Sequence, residues 1–132
     1  MNLRNTETWL AYFTLGFLVF YIPVETWASR ARLTSPFYIV DLIAMILLLW
    51  GAVRSLRARP RAEPGVLCAA YAWSAANAWR ATFGRVAEVL EGRELENGPA
   101  ELWVVGGGTA LLLGCLVLSL ILMVRAPRQA TG

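Results

Sequence analysis

The sequence contains no histidine, and this absence excludes several kinds of chemistry at once. Haem sites with a histidine ligand, the usual zinc sites and histidine-based acid or base catalysis all need an imidazole. Only two cysteines are present, Cys68 and Cys115, and each lies inside a long apolar segment without a Cys-x-x-Cys spacing. Lone buried cysteines usually pack as small apolar side chains. We therefore expect neither a metal site nor a cofactor.

Lysine is also absent, so the twelve basic residues are all arginines, and the formal net charge is +3. Most of these arginines flank apolar segments of the chain. Arginines in such positions are topology signals and contacts with the membrane surface. We therefore expect the lipid bilayer, and no nucleic acid, as the partner of this basic chain.

Apolar residues are abundant, because 58% of the 132 residues are hydrophobic, six are tryptophan and the mean hydropathy is +0.53. Soluble domains are nearer 45 to 50% apolar and do not carry several apolar runs of about 18 residues or more. Residues 1–132 are therefore expected to form a single transmembrane domain. Four spans of about 20 residues leave no room for a soluble catalytic domain.

The apolar runs predict an all-α integral membrane four-helix bundle with antiparallel, up-down connections. The expected spans cover about residues 9–28, 36–53, 66–90 and 102–124, with an arginine-rich loop at 54–65 and an acidic loop at 91–101. The first span is longer than the apolar core of a signal peptide and carries Pro23 and Glu25, which favours a retained helix. A cleaved leader would leave three spans.

The distribution of arginine predicts the orientation of the bundle. With four spans, the amino terminus, the loop 54–65 and the tail lie on one side and hold seven arginines, against about four on the other side. The arginine-rich side of a membrane protein is normally cytoplasmic. We therefore expect a multi-pass protein of the cell membrane with both termini cytoplasmic. Trp9 and Trp50 then mark the inner interface, and Trp27 and Trp103 mark the outer one.

The third span contains an arginine, Arg80, in a segment that is otherwise rich in alanine. Small side chains such as Ala75 and Ala76 allow helices to approach closely in lipid, so this span is expected to be the central packing helix. A charged group at membrane depth is costly and usually faces a partner or a wet cavity. Arg80 is therefore expected to mark the interior of the protein.

A polar cluster is expected in the outer half of the bundle. At about 1.5 Å per residue, Glu25, Asp41 and Arg80 fall at similar depths on three different helices. Helical spacing adds neighbours that share a face with these charges. The candidate ligand-binding residues are Tyr21, Glu25, Tyr38, Asp41, Trp73, Asn77 and Arg80.

Three interpretations of these charges stay open. They form a structural ion network, or they line a pocket that binds an ion or exchanges protons, or they extend separately to the membrane interface. No nucleophile is paired with a base, so the sequence favours a protein without enzymatic activity.

The expected function is that of a small binding or accessory subunit with a membrane-protein partner, a second copy of itself or a small-molecule ligand. One alternative is an oligomeric transporter of small solutes, coupled or not to protons. The other is a membrane enzyme that uses Glu25 or Asp41 as acid or base on a lipid-soluble substrate.

Overall fold

The computed structural model describes residues 3–28, 36–58, 64–95 and 98–129, and within them it contains four α-helices and no strand. The helices are α1 (Leu3–Ala28), α2 (Pro36–Arg57), α3 (Gly65–Leu90) and α4 (Ala100–Gln129). The prediction of an all-α chain with four helices is confirmed. The first loop at 29–35, residues 59–63 of the arginine-rich loop and the side chain of Trp27 lie outside the described residues.

All four helices are longer than the spans expected from the sequence, α3 by a single residue. The polar segment before Trp9 belongs to α1, which begins at Leu3, and Arg54 and Arg57 belong to the last turn of α2. The spans expected from the sequence excluded these residues because they are polar. Polar residues can continue a helix beyond its apolar part, so the length of an apolar run does not fix the ends of the helix.

Contacts between helix ends show that consecutive helices run antiparallel. The hydroxyl groups of Thr26, near the end of α1, and Tyr38, near the start of α2, lie 3.3 Å apart. Near the opposite end of the bundle, Gly51 of α2 packs against the backbone of Leu67 in α3. We call the end with the α1–α2 and α3–α4 connections the hairpin end, and the end with Leu3, Arg57, Gly65 and Gln129 the terminal end.

The most extensive interfaces are those of α3 with α4 and of α3 with α2, whereas α1 packs mainly on α2 and only slightly on α4. The core is concentrated towards the terminal end. All six buried residues of α3 lie in its first half, between Leu67 and Ala75. Three of them, Leu67, Ala70 and Tyr71, belong to one buried cluster with Leu10 and Leu48 from the two preceding helices. The hairpin half of α3 is therefore less covered than its terminal half.

A buried chain of hydrogen bonds crosses this core. The hydroxyl of Thr14 donates to the carbonyl of Leu10 at 2.7 Å, and it lies 2.6 Å from the hydroxyl of Tyr71. Because the single proton of Thr14 is already donated, Tyr71 must donate to Thr14. The thiol of Cys115 on α4 lies close enough to the Tyr71 hydroxyl to interact with it. Tyr71 therefore brings α1, α3 and α4 together around one buried polar group.

The end of α3 shows why the chain turns before α4. The amide of Gly92 donates to the carbonyl of Val89 at 3.0 Å, and the amide of Arg93 donates to that of Glu88 at 2.9 Å. This pair of bonds is the Schellman motif, which needs a left-handed residue after the helix. Gly92 supplies it with φ 74°. The acidic loop predicted at 91–101 therefore begins where the structure ends α3.

Candidate functional site

The candidate site is a group of charged and phenolic side chains at the hairpin end, to which all four helices contribute. We call it the hairpin-end cluster and define it as Tyr21, Glu25, Asp41, Arg85 and Glu101. Each of these residues is neither fully buried nor fully exposed. Such positions keep charged groups partly accessible while the surrounding helices hold them in place.

Asp41 is the member through which the cluster is connected. The charges of Glu25 on α1 and Arg85 on α3 both act on its carboxylate. The phenol of Tyr21, one turn before Glu25, lies within electrostatic reach of both acids. The two acids that were expected to lie close together, Glu25 and Asp41, are therefore within electrostatic reach of each other.

Arg85 connects this group to the last helix. Its guanidinium makes an ion pair with Glu101 of α4 and donates to the carbonyl of Ala81 at 3.2 Å. The side chain of Glu101 is only 12% exposed, so this carboxylate is largely removed from solvent. A charge-assisted hydrogen bond in such surroundings is stronger than one on the open surface.

One turn closer to the terminal end, two threonines join the same pair of helices. The hydroxyl groups of Thr82 and Thr109 lie 2.7 Å apart. Each is also 2.9 Å from a carbonyl of its own helix, that of Ala78 or Val105. These bonds and the Arg85–Glu101 pair set the antiparallel register of α3 and α4 at the hairpin end.

The remaining predicted site residues lie outside the cluster, in different environments. Arg80 is exposed on α3 and has an interaction partner of its own. The amide of Asn77 donates to the carbonyl of Trp73 at 2.9 Å, and Trp73 is 43% exposed. Tyr38 is half-buried, with its hydroxyl near that of Thr26. The role of these four residues in binding stays a prediction.

The sequence analysis did not single out Arg85 and Glu101. Asp41 lies five residues after Pro36, where α2 begins, and Arg85 lies five residues before Leu90, where α3 ends. At about 1.5 Å per residue, both are about 8 Å from the hairpin end of their helices. Residues counted from the ends of the helices, rather than from the middle of apolar runs, place Arg85 at the same depth as Asp41. This count is the signal that could have identified Arg85.

The composition of the cluster limits what it can bind. Its charged members are three carboxylates and one guanidinium, and both Glu25 and Glu101 already have interaction partners. No group of three or more acidic or cysteine side chains in the described ranges is arranged to hold a metal ion. The chemistry that suits these residues is the recognition of an organic cation or of a basic side chain, or the exchange of protons between Glu25 and Asp41.

Two helices are long and apolar enough to cross a membrane, within the described part of the chain. They cover Tyr38–Arg57, with a mean hydropathy of 2.0, and Ala100–Arg125, with 2.4. Comparisons of the whole chain with protein-family models, curated proteins and solved structures found no match.

Proposed function

We propose that the chain is a multi-pass membrane protein that crosses the bilayer four times, with both termini in the cytoplasm. Only 33% of the candidate span in α2 and 22% of that in α4 is buried inside the protein. The core helix of a soluble protein would be mostly buried, whereas lipid can cover an exposed apolar face. The low burial of these two apolar helices supports a membrane location.

The antiparallel order of the helices supports the other two spans. Since α2 and α4 both run antiparallel to α3, they point in the same direction. If both cross the bilayer, the chain must return between them, and α3 lies there. Its 26 residues extend about 39 Å, which exceeds a hydrocarbon core of about 30 Å. The same length and its packing on α2 suit α1 to the first crossing.

Exposed tryptophans and arginines support the orientation. Trp9 and Trp50 are 70% and 55% exposed towards the terminal end, and Trp103 is 84% exposed at the hairpin end. Tryptophan is enriched at both membrane interfaces. The exposed arginines Arg54 and Arg57 lie at the terminal end, in the last turn of α2. We therefore place the terminal end in the cytoplasm and the hairpin end outside.

We further propose that the protein acts as a binding or accessory subunit through the hairpin-end cluster. The observation that carries this proposal is that charged side chains from all four helices, with Asp41 half-buried among them, gather at one end of the bundle. Asp41, the half-buried carboxylate of α2, is the group that the cluster offers to a positively charged partner. In a membrane the positive charge is best supplied by a basic side chain on a partner helix or by a small organic cation.

The principal test is purification of the tagged chain from its native membranes in mild detergent. We expect a specific partner to copurify with the wild type and to be lost in Asp41→Asn, which keeps the size of the side chain but removes its charge. Glu91→Gln is the matched control, because Glu91 is exposed at the same end and pairs with Arg93 in the loop. Identical partners for wild type and Asp41→Asn would contradict a binding role for the cluster.

Proton-coupled transport is the second candidate, favoured by the mutual influence of Glu25 and Asp41. Its test is proton flux in liposomes that contain the purified chain. Flux that depends on a solute and is lost in Glu25→Gln would favour transport. Copurification of a partner without such flux would favour the accessory role.

The orientation is tested separately by reporter fusions. A reporter fused after Gln129 is expected to be active only in the cytoplasm, and a reporter inserted in the loop 91–95 only outside. Activity of the carboxy-terminal reporter outside the cell would contradict the four-span arrangement, whatever the role of the cluster.

A further inference from the structure

A half-open cavity of about 430 Å³ lies at the terminal end, remote from the hairpin-end cluster. We call it the terminal cavity. It is bounded by the first turns of α1 and the last turns of α2, and its lining includes Arg4, Asn5, Thr8, Tyr12, Ser55 and Leu56. Its lining is predominantly polar and includes several hydrogen-bond donors.

Ser55 is the residue that points to a ligand. It is 5% exposed, its hydroxyl oxygen is buried, and no hydrogen-bond partner for it lies among the described residues. Burial of a hydroxyl without a partner is unfavourable, so native structures rarely leave one unsatisfied. Because Ser55 lines the terminal cavity, rotation of its hydroxyl towards an acceptor bound there would satisfy it.

The amino terminus of α1 adds positive potential to the same cavity. The first four backbone amides of a helix have no acceptor within the helix, and they give its amino terminus a partial positive charge. No acidic side chain occupies the first turn of α1, where Arg4 lies. Such a terminus is suited to an anion, especially a phosphate.

Two nearby groups carry negative charge. Glu7 is buried with an interaction of its own, and it is not among the residues that line the cavity. The carboxyl end of α2 has a partial negative charge, which disfavours an anion, but Arg54 and Arg57 lie in its last turn. Basic residues at a helix carboxyl end offset that charge. The balance of charge around the cavity is therefore positive.

We propose that the terminal cavity binds a phosphate group. The positive charge comes from Arg4. Hydrogen bonds come from the hydroxyl groups of Thr8 and Ser55 and from the side-chain amide of Asn5. The open side of the cavity leaves room for the rest of the molecule. The phosphate is carried by an anionic lipid headgroup or by a soluble phosphate. The lipid source rests on the membrane placement proposed above, in which the exposed Trp9 and Tyr12 put Arg4 at headgroup depth.

Binding is tested on the purified full chain in a nonionic detergent. The lipid probes are phosphatidic acid and phosphatidylglycerol, with phosphatidylcholine as the zwitterionic control, and bound lipid is measured by native mass spectrometry. The soluble probe is inorganic phosphate at constant ionic strength, followed by thermal unfolding. Binding of the anionic lipids without an effect of phosphate identifies the lipid as the source, and the reverse identifies a soluble ligand.

Two variants test the site, and each has a matched control. Ser55→Ala is compared with Ser74→Ala, because Ser74 is also buried without a partner but does not line the cavity. Arg4→Gln is compared with Arg93→Gln, which removes the same charge from an exposed position at the other end. We expect Ser55→Ala and Arg4→Gln to weaken binding about tenfold, and the controls to leave it unchanged.

Three results would overturn the proposal: no binding of any anionic probe, equal binding by Ser55→Ala and Ser74→Ala, or equal binding by Arg4→Gln and Arg93→Gln. None of these results bears on the reporter fusions or on the loss of a partner in Asp41→Asn. The terminal cavity and the hairpin-end cluster can therefore fail independently.

Discussion

Replacement of Gly51 by alanine should destabilise the bundle at the interface of α2 and α3. A β-carbon at this position would lie 2.8 Å from the α-carbon and 3.1 Å from the amide nitrogen of Leu67. These are backbone atoms of a packed helix, so a change of side-chain rotamer cannot relieve the overlap. The helices must move apart and lose contacts of the buried Leu67 and Leu48. Overpacking of this kind typically costs about 1 to 3 kcal/mol.

The matched control is Gly16→Ala, because Gly16 also lies within a helix but has open space where a β-carbon would be placed. Alanine favours the helix over glycine by about 0.5 to 1 kcal/mol, so this variant should be neutral or slightly more stable. Stability is measured by thermal unfolding of the purified variants in one detergent. Equal unfolding temperatures for Gly51→Ala and Gly16→Ala would refute the close approach of α2 and α3 at Leu67.

Three further predictions concern the other contacts of α3. Ala75→Leu should lower the free energy of unfolding by about 1 to 3 kcal/mol because Ala75 is buried. Ala76→Leu should have little effect because Ala76 is exposed, and equal unfolding temperatures of the two variants would contradict this difference. Tyr71→Phe should cost about 0.5 to 1.5 kcal/mol through loss of its bond to Thr14, and thermal unfolding should show no such loss for Tyr12→Phe at an exposed position. Arg85→Gln should lower the free energy of unfolding by about 1 to 3 kcal/mol because Glu101 loses its charged partner. Recovery of stability in a double variant that also carries Glu101→Gln would confirm the pairing.

The sequence was sufficient to predict the number and type of the helices because strong local signals separate them. Pro36 stands at the first position of α2, where a proline lacks no hydrogen bond that the helix needs. Gly92 and Gly98, in the predicted acidic loop, both have positive φ, of 74° and 77°. Few residues other than glycine adopt this conformation readily. Apolar runs between such signals leave little freedom in the choice of secondary structure.

The sequence was not sufficient to predict which arginine acts on Asp41. Arg80 was expected to face the interior because it interrupts an apolar run. Whether it does so depends on how α3 is rotated against its neighbours. That rotation is set by tertiary contacts, such as the buried Tyr71 and the pair of Thr82 and Thr109. In the structure Arg80 is exposed, and Arg85 is the arginine whose charge acts on Asp41. Periodicity shows which residues share a face and leaves the partner of that face undetermined.

The unequal distribution of the core along α3 affects how variants at the two ends should be interpreted. Buried residues of this helix end at Ala75, whereas Arg85 lies ten residues further along. Effects of sites that share no partners usually add, so a change of charge at Asp41 should leave the packing around Leu67 and Tyr71 intact. Loss of a partner in Asp41→Asn can then be attributed to the hairpin-end cluster. Ser55 lies beside the buried Ala52, so its variant needs Ser74→Ala as a control for folding.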